Sequence, residues 1–147
     1  MAIQKREFYE GAALHRIARA GIGYRLTYED PFFVLDELLA LYIKYSTAVK
    51  SPWAFTFWPA EQTLIESESK RRGVVLMLVC ASNGIATLTS EEFLAVAPPA
   101  EGAVRVACAR RYGEFYEVSG PMGRLDRKVS PNRMQRLIPV IAKRRAG

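Results

Sequence analysis

Residues 74–81, VVLMLVCA, form an apolar run with no polar face. A β-strand turns successive side chains to opposite sides of its sheet, so a strand that is apolar on both sides has to be covered on both sides. The run reads as the central strand of a layered fold. Ser82-Asn83-Gly84 follows it as a turn, and IATL continues as a neighbouring strand. Upstream, Ala13, Leu14, Ile17 and Ala18 share one helical stripe within 5–20, ended by Gly21 and Gly23. Residues 24–28 read as a short strand and Asp30-Pro31 as a turn, with 32–35 and 38–45 forming a hairpin on Asp36-Glu37. Trp53, Phe55 and Phe57 alternate along another strand, and Pro59 opens a helix to about Arg72.

Thr89 with Glu92 forms a capping box for a short helix through Val96, and residues 98–102 are a loop. Two strands, 103–109 and 115–120, pair around Tyr112-Gly113, and Ser130-Pro131 starts a C-terminal helix that Pro139 kinks or divides. This order predicts an α/β or α+β fold, a central mixed β-sheet flanked by helices. At 147 residues, half of them hydrophobic, the chain is expected to be a single domain over 1–147.

Several chemistries have little support. No apolar run approaches the roughly 18 residues that a membrane helix requires, and MAIQKREFYEG lacks the apolar core of a secretion signal, so a cytoplasmic protein without a membrane partner is expected. Cys80 and Cys108 lie inside apolar strand-like runs, which suits reduced, buried thiols. His15 is the only histidine, so neither a zinc site nor a Cys-His pair is indicated. Carboxylate and lysine chemistry remains.

The net charge of +6 is concentrated at one end. The basic C-terminal segment, 124–147, carries eight cationic side chains against Asp126 alone, a balance of +7, which leaves −1 for the first 123 residues. Such a segment is either an electrostatic footprint for nucleic acid, with Arg124, Arg127, Lys128, Arg133 and Arg136 as phosphate contacts, or a solvated end.

Lys44 stands out in LYIKYST because it interrupts an apolar strand. Alternation puts Tyr42, Lys44 and Ser46 on one face and Leu41, Ile43 and Tyr45 on the other. Antiparallel pairing about 36–37 would bring residues near 30 opposite residues near 43, so Asp30 is the expected partner of Lys44 and Asp36 a turn residue. An exposed strand lysine also needs no function at all. Glu10 shares the apolar helical stripe and should find a partner such as Lys44 or Arg25, or neutralise. Trp53, Phe55 and Phe57 are either core or a base-stacking platform, and Trp58 points away from them.

A helix with an inward glutamate, an acid-bearing strand region, a strand ending in an apolar-x-Lys element, a helix and a long apolar strand together resemble the PD-(D/E)XK nuclease superfamily over roughly 5–97. The resemblance implies a restriction-endonuclease-like fold and a small nuclease-like protein that hydrolyses phosphodiesters with Mg²⁺ or Mn²⁺. In that family's terms Asp30 and Glu10 would bind the metal and Lys44 would stand near the attacking water. Tyr42, Gln62 and Asp36 would be auxiliary. Two departures matter: Tyr42 occupies the place of the acid two residues before the lysine, and Asp30-Pro31 inverts the family's Pro-Asp order. Tyrosine is neutral near pH 7 and a poor ligand for a hard cation. A helix carboxylate, Glu10 or Glu61, has to compensate, or the chain is a catalytically inactive module of the same fold. Such a module would bind nucleic acid or protein, as a homodimer or a subunit of a larger assembly.

Overall fold

The computed structural model describes residues 2–21 and 23–147. Its elements run α1 (Lys5–Arg19), β1 (Leu26–Glu29), β2 (Phe32–Leu35), β3 (Leu39–Ser46), β4 (Trp53–Phe57), α2 (Pro59–Ser69), β5 (Gly73–Cys80), β6 (Gly84–Thr89), α3 (Ser90–Val96), β7 (Val104–Ala109), β8 (Glu117–Gly120), β9 (Gly123–Arg124) and α4 (Met134–Ala146). Every residue of β5 is buried, as its two apolar faces require. It lies inside a mixed five-stranded sheet of order β1-β2-β3-β5-β6, parallel to β3 and antiparallel to β6. Parallel pairing needs a crossover between the two strands, and β4 with α2 supplies it.

The expected flanks need one correction. Helices α1 and α4 cover one face of the mixed sheet, where Ala13, Ile17, Met134 and Ile138 pack on Leu39, Leu41, Val75 and Met77. The other face is covered largely by a second, antiparallel sheet of order β4-β7-β8-β9, together with α2 and α3. Alternation along 53–57 identifies the apolar face of that strand but not the strand it pairs with. Its aromatic stripe lies in the core between the two sheets, with Trp53 3 %, Phe55 2 % and Phe57 0 % exposed, so these rings are packing residues rather than a stacking platform. Trp58, pointing the other way, is exposed.

Two local features set the geometry of the Lys44 region. The turn between β2 and β3 puts Asp36 and Glu37 in the left-handed region, at φ 51 and 60, and the Asp36 carboxylate accepts the Arg25 N–H at 2.7 Å. At the far end of that hairpin the β2–β3 ladder stops at Phe33↔Leu41. Residues 42–45 therefore pair only with β5 on one side.

The C-terminal segment is not a solvated tail. It supplies β9, the Tyr116↔Val129 bridge and α4, and it buries Val129, Met134, Ile138 and Ala142. The helix runs unbroken through Pro139 instead of dividing there, because the missing N–H forfeits one hydrogen bond while the 134, 138, 142 stripe continues across it. Cys80 and Cys108 are free and buried. Among the described residues no helix is long and apolar enough to cross a membrane.

Candidate functional site

Where β2 ends short of Tyr42, a cleft of about 320 Å³ opens beside β3, lined by Arg6, Pro31, Tyr42, Lys44, Tyr45 and Glu61 among others. Helix α1 reaches it from one side, its Tyr9 ring stacked on Tyr45 at 4.6 Å. Lys44 points toward the second sheet. Its ammonium donates to the Thr56 carbonyl and to Glu61 Oε1, both at 2.6 Å, and lies 4.7 Å from the centre of the Phe57 ring.

Glu61 is delivered by the start of α2. Pro59 sits in the first turn, Trp58 is the N-cap, and Glu61 falls at the third helical position, where its Oε2 accepts the Trp58 N–H at 2.8 Å. The other oxygen faces β3 and takes both Lys44 and the Tyr42 hydroxyl, the latter at 2.5 Å. Burial pushes the Glu61 carboxyl up, but Lys44, Tyr42 and the Trp58 N–H together outweigh it and hold the group below the ordinary glutamate value. Burial, then the bond to Glu61, push the Tyr42 hydroxyl far above the ordinary tyrosine value, so it remains a donor.

Asp30 is not the partner of Lys44. It sits in the turn between β1 and β2, its side chain 76 % exposed, accepting the Tyr28 hydroxyl at 2.8 Å with Arg6 at 3.9 Å. Glu10 is buried as its stripe requires, but its cation is Arg6, at 2.8 Å, rather than Lys44 or Arg25. The i, i+4 spacing of Arg6 and Glu10 was the sequence signal for this pair. Asp36 serves the turn. Gln62 lies outside the lining of the cleft: its amide bridges the Phe57 and Gly102 carbonyls at 2.9 Å each and accepts the Ala100 N–H at 3.0 Å, anchoring the 98–102 loop. The helix-borne acid beside Lys44 is thus Glu61.

A hard divalent cation needs several carboxylate oxygens free to turn toward it. Here both Glu61 oxygens accept hydrogen bonds, and Arg6 sits against both Glu10 and Asp30. Among the described residues no three His, Cys, Asp or Glu side chains gather in one place. The donor set in this arrangement does not fit Mg²⁺ or Mn²⁺.

The five basic candidates are dispersed. Arg124 pairs with Glu117 at 3.3 Å and Lys128 with Glu114 at 3.4 Å, both beside the second sheet. Arg133 is tied to Glu92 at 2.5 Å and to the Thr87 carbonyl at 3.1 Å, while Arg127 and Arg136 are exposed. Comparison with protein-family models, with curated proteins and with solved structures returns no match.

Proposed function

We propose that the chain is a nucleic-acid-binding module with a nuclease-like, restriction-endonuclease-like fold, in which the position of a cleavage site is held as a set of structural ion pairs. The order of elements supports the fold reading: a helix with inward Glu10, a hairpin, the Lys44 strand, a helix, and a long apolar strand parallel to the Lys44 strand. The observation that carries the functional reading is the internal neutralisation of the cleft. Lys44 is matched by Glu61, and Arg6 by Glu10 and Asp30, so Lys44 and Glu61 hold β3, β4 and α2 together while Arg6 joins α1 to the turn between β1 and β2. Exposed cations elsewhere on the chain then provide the affinity for phosphate.

One observation favours a second reading, a metal-dependent nuclease. Glu61 brings a carboxylate to Lys44 from α2, and Tyr42 leaves that role vacant on β3. Titrating Mg²⁺ and Mn²⁺ into the wild-type protein with labelled DNA and RNA, alongside Lys44→Ala, separates the two. Salt-sensitive binding without cleavage is the expected result. Metal-dependent cleavage that Lys44→Ala abolishes would overturn the proposal and establish the second reading.

A further inference from the structure

The tip of the β7–β8 hairpin, RRYGEF over residues 110–115, has two arginines and two aromatic residues around one turn, with Gly113 at φ +77. A hollow of about 420 Å³ lies against it, lined by Arg110, Arg111, Phe115, Glu117 and Lys128 among others. A second, of about 480 Å³, is lined by Glu117, Arg124, Leu125, Asp126 and Lys128. The two hollows share Glu117 and Lys128 and so lie side by side, a grooved surface beside the second sheet. Phe115 is 52 % exposed, and Tyr112, on the same turn, is fully exposed.

Tyr112 is packed against nothing and Phe115 is only half covered, so both rings on this turn leave a face open to a ligand. The cations along the groove are available. Arg111 has no side-chain partner among the described residues, and Lys128 and Arg124 hold their glutamates at 3.4 and 3.3 Å with all four side chains 40 % exposed or more. Exposed pairs of this kind contribute little net stability, so a phosphate can displace the carboxylate at little cost. Arg110 is different: it bonds the Glu114 carbonyl at 2.6 Å and Asn83 at 3.2 Å and lies 5.2 Å from the centre of the Tyr116 ring, which fixes the turn.

We infer that this groove binds single-stranded nucleic acid, with Arg111, Lys128 and Arg124 along the sugar–phosphate backbone and unpaired bases stacked on Phe115 and Tyr112. The inference rests on the nucleic-acid reading above and names the strand form and the surface. Free base faces are what exposed rings can use, and a duplex hides them. An acidic peptide would use the cations and leave the rings idle.

The test is fluorescence anisotropy of the full chain with a labelled oligothymidine, a duplex of equal length, a sugar–phosphate strand lacking bases, and polyglutamate. Oligothymidine should bind at least about tenfold more tightly than the other three probes. Phe115→Ala and Tyr112→Ala should each weaken oligothymidine binding by about tenfold and leave the baseless strand unchanged. Arg111→Ala and Lys128→Ala should each lower the slope of log K against log salt by about 0.7. Lys5→Ala, on α1, serves as the neutral control. Equal affinity for the baseless strand, or ring variants that bind like wild type, would overturn the groove assignment while leaving nucleic-acid binding intact. Equal or tighter binding of polyglutamate would make the surface an acidic-peptide site. Binding to no nucleic acid would overturn both this inference and the proposed function. Metal-dependent cleavage would overturn only the inactive reading.

Discussion

Lys44 is held in an apolar layer by a carboxylate, a backbone carbonyl and a ring face, with its side chain 18 % and that of Glu61 21 % exposed. Removing one member of such a pair leaves the other charge desolvated, a loss of about 3 kcal/mol or more for buried pairs and less here because both are partly wet. Glu61→Gln keeps the shape of the side chain but only one acceptor oxygen, so the charge is lost together with the acceptor for either the Trp58 N–H or the Tyr42 hydroxyl. At pH 7 it should lower the unfolding free energy by about 2 kcal/mol in urea titrations. The pH dependence has a definite sign. The folded Glu61 titrates below its unfolded value, so its contribution is present above about pH 4.3–4.5 and is lost as pH falls through the lower folded value. The gap between wild type and Glu61→Gln should therefore close in acid. A gap that persists unchanged at acidic pH would assign the loss to the missing acceptor and packing rather than to the charge.

Elements were legible in the sequence wherever a local rule fixes them. VVLMLVCA, the Thr89–Glu92 capping box and the Tyr112-Gly113 turn each carry their own signal, and each appears in the structure as expected. Partners across space were not legible. Nothing in WAFTF distinguishes pairing with β3 from pairing with β7, and nothing near Lys44 indicates that its carboxylate lies 17 residues downstream on α2. Gly120, at the end of β8, shows the same limit: Ser119-Gly120-Pro121 carries a turn signal, but nothing in it indicates that a Cβ at Gly120 would collide with the Val96 carbonyl of α3. Backbone cannot retreat as a flexible side-chain end can, so Gly120→Ala should destabilise by about 3 kcal/mol and lower Tm by about 10 °C. Gly102→Ala, where a Cβ meets nothing within 4 Å, should stay near wild type. Equal melting of the two variants in calorimetry would show that the β8–α3 contact is not rigid.

At the scale of the molecule, charge and core overlap at the C-terminus. The segment 124–147 carries a balance of +7, a composition that reads as a detachable basic tail, yet its apolar minority completes both faces of the mixed sheet. Val129 joins the core between the sheets, while Met134 and Ile138 cover Val75 and Met77 on the other side. Burying these three side chains contributes about 5–8 kcal/mol, comparable with the entire net stability of an ordinary domain, about 5–15 kcal/mol. A chain shortened to residues 1–123 should therefore unfold rather than merely bind nucleic acid less well, losing near-ultraviolet dichroism and its cooperative melt. Replacing Lys143, Arg144 and Arg145 with glutamine removes three charges from exposed positions in the last turn of α4 and leaves the buried stripe intact. That variant should melt within about 2 °C of wild type, since each of these charges at a helix C-terminus contributes only a few tenths of a kcal/mol at physiological salt. A shortened chain that still melts cooperatively would mean that the two sheets and α1 form a sufficient core, with α4 as an accessory.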